Sequence, residues 1–207
     1  MTKQREPLSA LAGRTVDTYE RQATRYDAER GKSLFERPWL DRFSSLLPPG
    51  GSVLDAGCGT GDPIAHDLAR RGLRVTGVDA AQAMIALARQ KHPGGDWRQA
   101  DMRTLDLGTV FDGVIAWDSF FHLTGDEQRA TLPRLAGHLK PRGALMLTVG
   151  PEAGEVVGAV GGAPVFHASL SPDDYRAVLT GLGLAVIDFV PEDPDCNGHS
   201  VLLAQRT

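Results

Sequence analysis

Val53-Leu54-Asp55-Ala56-Gly57-Cys58-Gly59-Thr60-Gly61 is a short apolar run that passes into three glycines at alternate positions, with Asp62-Pro63 and a helical stretch behind it. Such a run reads as a strand ending in a tight turn. Glycine reaches left-handed backbone angles at no steric cost and leaves no Cβ between the main chain and a ligand. In an open α/β sheet that turn lies at the carboxyl edge of the strands, where ligands bind.

Working outward, the pattern alternates. A helix is predicted from about Asp62 to Arg71, a strand over Leu73 to Val78, and a second helix from about Ala81 to Lys91. Trp97 falls in a short third strand, and Phe111 to Trp117 reads as a buried fourth strand. Thr124-Gly125-Asp126-Glu127 has the form of a capping box, opening a helix that runs to about Lys140. Pro141-Arg142-Gly143 stops it, and Ala144 to Val149 makes a fifth strand. Strands alternating with helices argue for a mostly parallel sheet covered on both faces, a doubly wound α/β fold.

The tail departs from this alternation. Ser171-Pro172-Asp173-Asp174 caps a last helix, and the strands Leu184 to Val190 and His199 to Ala204 have no helix between them. So short a connection requires antiparallel pairing. Between Gly150 and Ser169, the runs Glu155 to Val160 and Ala163 to Ala168 flank Gly161-Gly162 as a hairpin. Upstream, Val16 to about Leu47 is helical in character, divided at Gly31 and Pro38, with Leu40, Phe43 and Leu47 forming one apolar stripe. The 207 residues are expected to form one domain: an N-terminal helical lid over 15–47, a ligand-binding core over 51–149, and a substrate-side loop and tail over 150–207.

With Lys+Arg 22 against Asp+Glu 26, the net charge of -4 leaves no sequence-wide footprint for nucleic acid or an anionic membrane. The polar start MTKQREPLSA has no apolar signal core, and no apolar run spans a bilayer, so a cytoplasmic protein is expected. Cys58 and Cys196 lack disulfide or zinc spacing, and the six histidines show no paired metal motif, so no metal ligand set is expected.

Asp79 ends the second strand, 18 residues after Gly61. An acid there can accept both hydroxyls of a ribose. Together, VLDAGCGTG and the Asp79 segment GVDAAQAMIALAR resemble the class I S-adenosylmethionine-dependent methyltransferase family, in its small-molecule branch. The resemblance runs from about Tyr19 to the C-terminus.

It implies S-adenosyl-L-methionine as cofactor and a seven-stranded sheet of order 3-2-1-4-5-7-6 with strand seven antiparallel. The glycine turn (Asp55, Gly57, Cys58, Gly59) would meet the methionine part, Asp79 and Ala80 the ribose, and Met84 the adenine. Ala100-Asp101-Met102 resembles the third motif, with Asp101 facing the adenine amino group and Met102 packing on the ring. Trp117-Asp118-Ser119-Phe120-Phe121-His122 takes the fourth-motif position, where cofactor and substrate meet. The YxxxAxxYD-like helix carrying Tyr19 and Tyr26 resembles one that many small-molecule members fold over the cofactor.

The fourth motif lacks the Asn/Asp-Pro-Pro-Tyr/Phe tetrapeptide of the nucleic-acid amino-methylating branch, which favours a small-molecule acceptor. A general base is expected at His122, which otherwise serves as a satisfied structural histidine, with His167 as second candidate. Asp118 is a candidate for orienting the cofactor's amino group. Cys196 and His199 read as part of a polar turn, and His66, His92 and His138 as surface residues of helices. Phe35, Trp39, Trp117, Phe120, Phe121 and Phe166 are explained equally by an acceptor pocket and by core. A nicotinamide enzyme is disfavoured, because its G-x-G-x-x-G fingerprint is not met and Asp62 stands where a pyrophosphate would come. A non-catalytic S-adenosylmethionine-binding protein is the alternative.

Overall fold

The computed structural model describes residues 8–31 and 33–207; the polar stretch 1–7 read above lies outside them. Five strands come first: β1 (Ser52–Ala56), β2 (Arg74–Asp79), β3 (Asp96–Gln99), β4 (Phe111–Ala116) and β5 (Leu139–Val149). After β6 (Gly154–Val160) and β7 (Ala163–Ser169), the chain closes with β8 (Leu184–Asp193) and β9 (His199–Arg206). The main sheet runs β3-β2-β1-β4-β5-β9-β8. Its first five strands are parallel, and β9 is antiparallel to both neighbours. This is the expected 3-2-1-4-5-7-6 order once the inserted β6–β7 hairpin, a separate two-stranded sheet, is set aside.

Both faces are covered because the inner strands alternate two apolar sets rather than apolar and polar. On one face Val114 and Leu145 join Leu132, Leu135 and Leu179, from α6 (Gly125–Gly137) and α7 (Pro172–Gly181). On the other, Ile115 and Met146 join Trp39, Phe43 and Leu68, from α3 (Arg37–Ser45) and α4 (Ile64–Arg70). Fully burying an aromatic or aliphatic side chain of this kind stabilises the fold by about 1.5–3 kcal/mol. Trp39 and Phe120 belong to this interior, and Phe166 on β7 is buried as well, so none of the three forms a pocket wall. Among the described residues, no helix is long and apolar enough to cross a membrane.

Several boundaries differ from the sequence expectation for local reasons. The helix expected to reach Lys140 ends at Gly137, and β5 begins at Leu139, opposite Phe111, with a register shift before Gly113. Arg142, at φ 63, turns the chain inside β5 where a helix stop was read. The capping box closes as expected, with Thr124 N–H donating to Glu127 Oε2 at 2.9 Å and Glu127 N–H to Thr124 Oγ1 at 3.3 Å. The helical N-terminal region resolves into α1 (Leu8–Ala12), which the sequence did not announce, then α2 (Thr15–Glu29) and α3.

α2 lies across the carboxyl edge of the sheet. Glu20 accepts the N–H of Ala83 at the start of α5 (Gln82–Lys91), Asp27 accepts from Thr60 Oγ1 at 2.7 Å, and Arg25 donates to Gly161 O at the hairpin tip at 2.8 Å. Val16, Tyr19, Ala23 and Tyr26 recur at helical spacing, so one face turns toward the sheet edge.

Candidate active site

The turn after β1 is shaped by backbone sterics. Gly57, Gly59 and Gly61 adopt φ of 82°, 54° and 82°. A Cβ at Gly57 would also collide with the Ser119 side chain, and one at Gly61 would lie 2.7 Å from the Trp97 ring. Asp79, at the end of β2, holds the turn: Oδ2 accepts Gly59 N–H at 2.9 Å and Oδ1 accepts Ala81 N–H at 2.8 Å. Each carboxylate oxygen keeps a lone pair free to face the cleft. Burial pushes the Asp79 carboxyl up to about 6, against the lowering effect of these two hydrogen bonds.

The cleft beyond the turn is walled by Gly57, Gly59, Asp79, Ala80 and Met84, with Tyr19, Tyr26, Asp101, Met102 and Asp118 on its other sides. These ten residues were all expected from the sequence. An adenosine-like ligand fits such a wall: Met84, Ala100 and Met102 offer apolar surface, Asp79 offers acceptors, and the buried Thr15 hydroxyl lining the cleft has no hydrogen-bond partner among the described residues. Asp101 is not a free acceptor, because Arg103 grips it through Nε and Nη2 at 3.0 and 2.6 Å while Nη1 reaches Glu127 at 2.9 Å. Burial and this grip act oppositely on Asp101, and the net effect lowers its pKa.

Three expected contacts fall elsewhere. Asp55 is 3% exposed beneath the turn and does not line the cleft. Burial, with the Asp79 charge, pushes its carboxyl up to about 7. The Cys58 thiol turns inward against Ala65, Ile85 and Trp97, where burial raises its pKa well above the ordinary value. Trp117 packs into the core beneath His199, the rings 5.7 Å apart. Cys58 and Trp117 each sit one position from a cleft residue, and strand or turn alternation sends their side chains the other way, while Asp55 lies two positions before Gly57, inside β1.

His122 is buried with both ring nitrogens occupied. Phe166 O, 2.9 Å from Nδ1, can only accept, so Nδ1 carries the proton, and Nε2 accepts from the Tyr19 hydroxyl at 2.8 Å. Burial pushes the imidazole down to about 4, and it also drives the Tyr19 pKa well above 10.0, so a neutral hydroxyl donates to a neutral ring. The lone pair expected to accept a substrate proton is therefore engaged.

Beyond Tyr19, Tyr26 and Asp118 lies a second cavity of about 520 Å³. Its further walls are Phe35, Phe121 and Arg30, with His167, Asn197 and His199. His167, half-buried between Phe121 and His122, has no hydrogen-bond partner on its ring among the described residues, and burial lowers its pKa. His199 differs from the polar turn residue expected. Its Nδ1 faces Cys196 O at 2.9 Å and its Nε2 faces Asp118 Oδ1 at 3.0 Å, two acceptors that favour the imidazolium. Burial opposes that charge most strongly, but the hydrogen bond and charge of Asp118, with the Cys196 carbonyl and the Glu36 charge, together outweigh it and raise the pKa. Arg30 pairs with the buried Glu36 and lies 3.8 Å from Asp118. No motif announced Arg30 or His199, which reach the cavity from the end of α2 and the start of β9.

A doubly wound sheet with an inserted hairpin, a glycine turn held by the strand-two acid and a helix across the cleft define the class I methyltransferase architecture. A family described as "Methyltransferase domain" matches residues 53–143. The chain is 36% identical over 146 residues to a dTDP-3-amino-3,6-dideoxy-alpha-D-glucopyranose N,N-dimethyltransferase of Streptomyces fradiae, covering 67% of this chain and 57% of that one. It is 31% identical over 163 residues to a ubiquinone biosynthesis O-methyltransferase of Paramagnetospirillum magneticum, covering 70% and 64%. The fold matches an S-adenosylmethionine-bound amino pentose methyltransferase of Micromonospora echinaspora with TM-score 0.70 and 23% identity, over 90% of this chain and 96% of that one. The chain belongs to the class I S-adenosylmethionine-dependent methyltransferase family. It spans about half the length of the curated relatives it matches.

Proposed function

We propose that the protein transfers a methyl group from S-adenosyl-L-methionine to an O, N, S or C atom of a small-molecule acceptor. One observation carries this reading: the cleft against the glycine turn and the second cavity share the wall formed by Tyr19, Tyr26 and Asp118. Two chambers meeting at one wall suit a donor in one and an acceptor in the other. The cofactor supplies an electrophilic sulfonium methyl, so the chain's main task is alignment.

In this reading Asp79 and Ala80 hold the ribose, Met84 and Met102 flank the adenine, and Gly57 and Gly59 admit the methionine part. α2, the first part of the lid expected over 15–47, covers the cleft, tethered through Glu20, Arg25 and Asp27, while α3 packs against the sheet. Phe35 and Phe121 give the acceptor apolar faces. His167 is the general base where the acceptor atom carries a proton, because its ring is neutral and unengaged, whereas His122 positions the Tyr19 hydroxyl. A bounded chamber with aromatic walls, a negative net charge and the lack of a membrane-crossing helix among the described residues favour a small acceptor over nucleic acid or lipid surface, with a cytoplasmic setting.

The test is release of S-adenosylhomocysteine from S-adenosylmethionine across phenols, amines, thiols and carboxylates. Turnover with at least one class is expected. Binding without turnover across the panel favours the non-catalytic alternative, and nicotinamide binding without adenosylmethionine binding refutes both.

A further inference from the structure

On the far side of the glycine turn, Asp62, His66 and His92 bring a carboxylate and two imidazoles together, with their ligand atoms all within 4.8 Å of one another. Asp62 Oδ1 lies 3.0 Å from His92 Nε2, and the His66 and His92 rings stack with centroids 4.6 Å apart. Two imidazoles bound to one zinc ion at about 2.0–2.1 Å in a tetrahedral site hold their ring centres about 5 Å apart, so these rings stand close to the separation a shared ion needs. The backbone behind them is fixed. His66 N–H donates to Gly61 O at 3.0 Å, and the His92 carbonyl accepts Trp97 Nε1 at 2.9 Å.

We propose that Asp62, His66 and His92 form a binding site for a zinc-class divalent cation, separate from the methyl-transfer cleft. Two nitrogens and one carboxylate oxygen are a borderline donor set that suits zinc, whereas magnesium and calcium require oxygen shells. The neighbouring Asp67 is held by Arg71 at 2.5 Å, which leaves the fourth position to water. Lys91 Nζ sits 2.6 Å from Asp62 Oδ2 and shares its charge with Asp27 at 2.5 Å, so Oδ1 is the oxygen available to the ion. Binding exchanges the His92–Asp62 hydrogen bond for metal bonds, and any proton on the ligating nitrogens leaves to solvent. The proposal departs from the sequence expectation of no metal ligand set, because His92 comes beside Asp62 and His66 only in the fold, where α5 and α4 share a buried cluster. Asp62 directly follows Gly61, so the ion would tie the glycine turn to both helices.

Titrating the full chain with zinc chloride, followed by calorimetry, should show one equivalent bound, and magnesium at the same concentration should not bind. His66 is exposed, so His66→Ala should stay folded by circular dichroism and lose at least roughly tenfold in zinc affinity, since even groups behind a ligand are worth about 10–100-fold. Asp62→Asn should lose affinity likewise, and cobalt(II) should give the visible bands of a four-coordinate site with the parent and not with His66→Ala. A folded His66→Ala that binds zinc as tightly as the parent overturns the site. So does a parent that binds no zinc below about 0.1 mM, the range of weak adventitious contacts. None of these readouts depends on methyl transfer, so they stand or fall apart from the proposed activity.

Discussion

Replacing His122 with glutamine tests whether this imidazole is held neutral by its surroundings. In the native chain it is buried, donates to Phe166 O, accepts from Tyr19 and has a pKa pushed down to about 4. Unfolded, it returns to about 6.5. Between those values the unfolded chain takes up a proton that the native chain refuses, so stability from this group is complete above the unfolded value and is lost as pH falls toward the folded one. The full gap corresponds to about 3 kcal/mol, and about 2 kcal/mol of it disappears between about pH 7.5 and pH 5. Asp55 and Asp79, raised to about 7 and about 6, run the opposite way, favouring the native state at low pH and losing that contribution as pH rises. The parent's curve therefore mixes opposing trends, and the difference between parent and His122→Gln isolates the imidazole. Urea unfolding of both proteins across that range should show the variant's relative stability improving by about 2 kcal/mol toward pH 5. A flat difference would mean that the ring titrates normally in the folded protein, that burial does not hold it neutral, and that it is available as a base after all.

Asp79→Ala should weaken S-adenosylhomocysteine binding by about 2–5 kcal/mol, or about thirty- to several-thousand-fold, since two charge-assisted hydrogen bonds to a ribose are proposed and the Gly59 and Ala81 amides lose their acceptor too. A calorimetric change under about twofold in a folded variant would contradict the ribose role. His167→Gln should lower turnover by about 10²–10⁴-fold while leaving cofactor affinity within about threefold, and raising the pH should restore part of the rate if the acceptor can ionise by itself. Unchanged kinetics would leave alignment as the whole of the protein's contribution.

The fold was legible where local chemistry and long-range pairing agree. The glycine turn, the capping box at Thr124 and the Gly161-Gly162 hairpin each have residue types that the local backbone favours, positive φ at the glycines and reciprocal capping at Thr124 and Glu127. The β5 boundary was not, because Pro141-Arg142-Gly143 is a helix stop by local rules, and only the opposing Phe111 makes the preceding residues strand. In the cleft, the sequence placed the residues whose type is dictated by contact with main chain or ligand. It failed at Cys58 and Trp117, whose positions in a motif say nothing about which way the side chain turns.

Hydrogen-bond partnership was the least legible property, and it decides the chemistry. From the sequence, His122 outranks His167, because it follows the fourth strand where the acceptor should come. The choice reverses once Phe166 O and the Tyr19 hydroxyl are seen on its two nitrogens, contacts drawn from residues 44 and 103 positions away. The same holds for His199, which becomes a partner of Asp118 only because Cys196 O and Asp118 face its two nitrogens from opposite sides. A histidine's role depends on what each nitrogen meets, and here every deciding partner except Cys196 is remote in the chain. Reading the site from sequence therefore identifies the residues able to do proton chemistry, while the packing of α2 and the β6–β7 hairpin against the sheet edge determines which of them keeps a free lone pair.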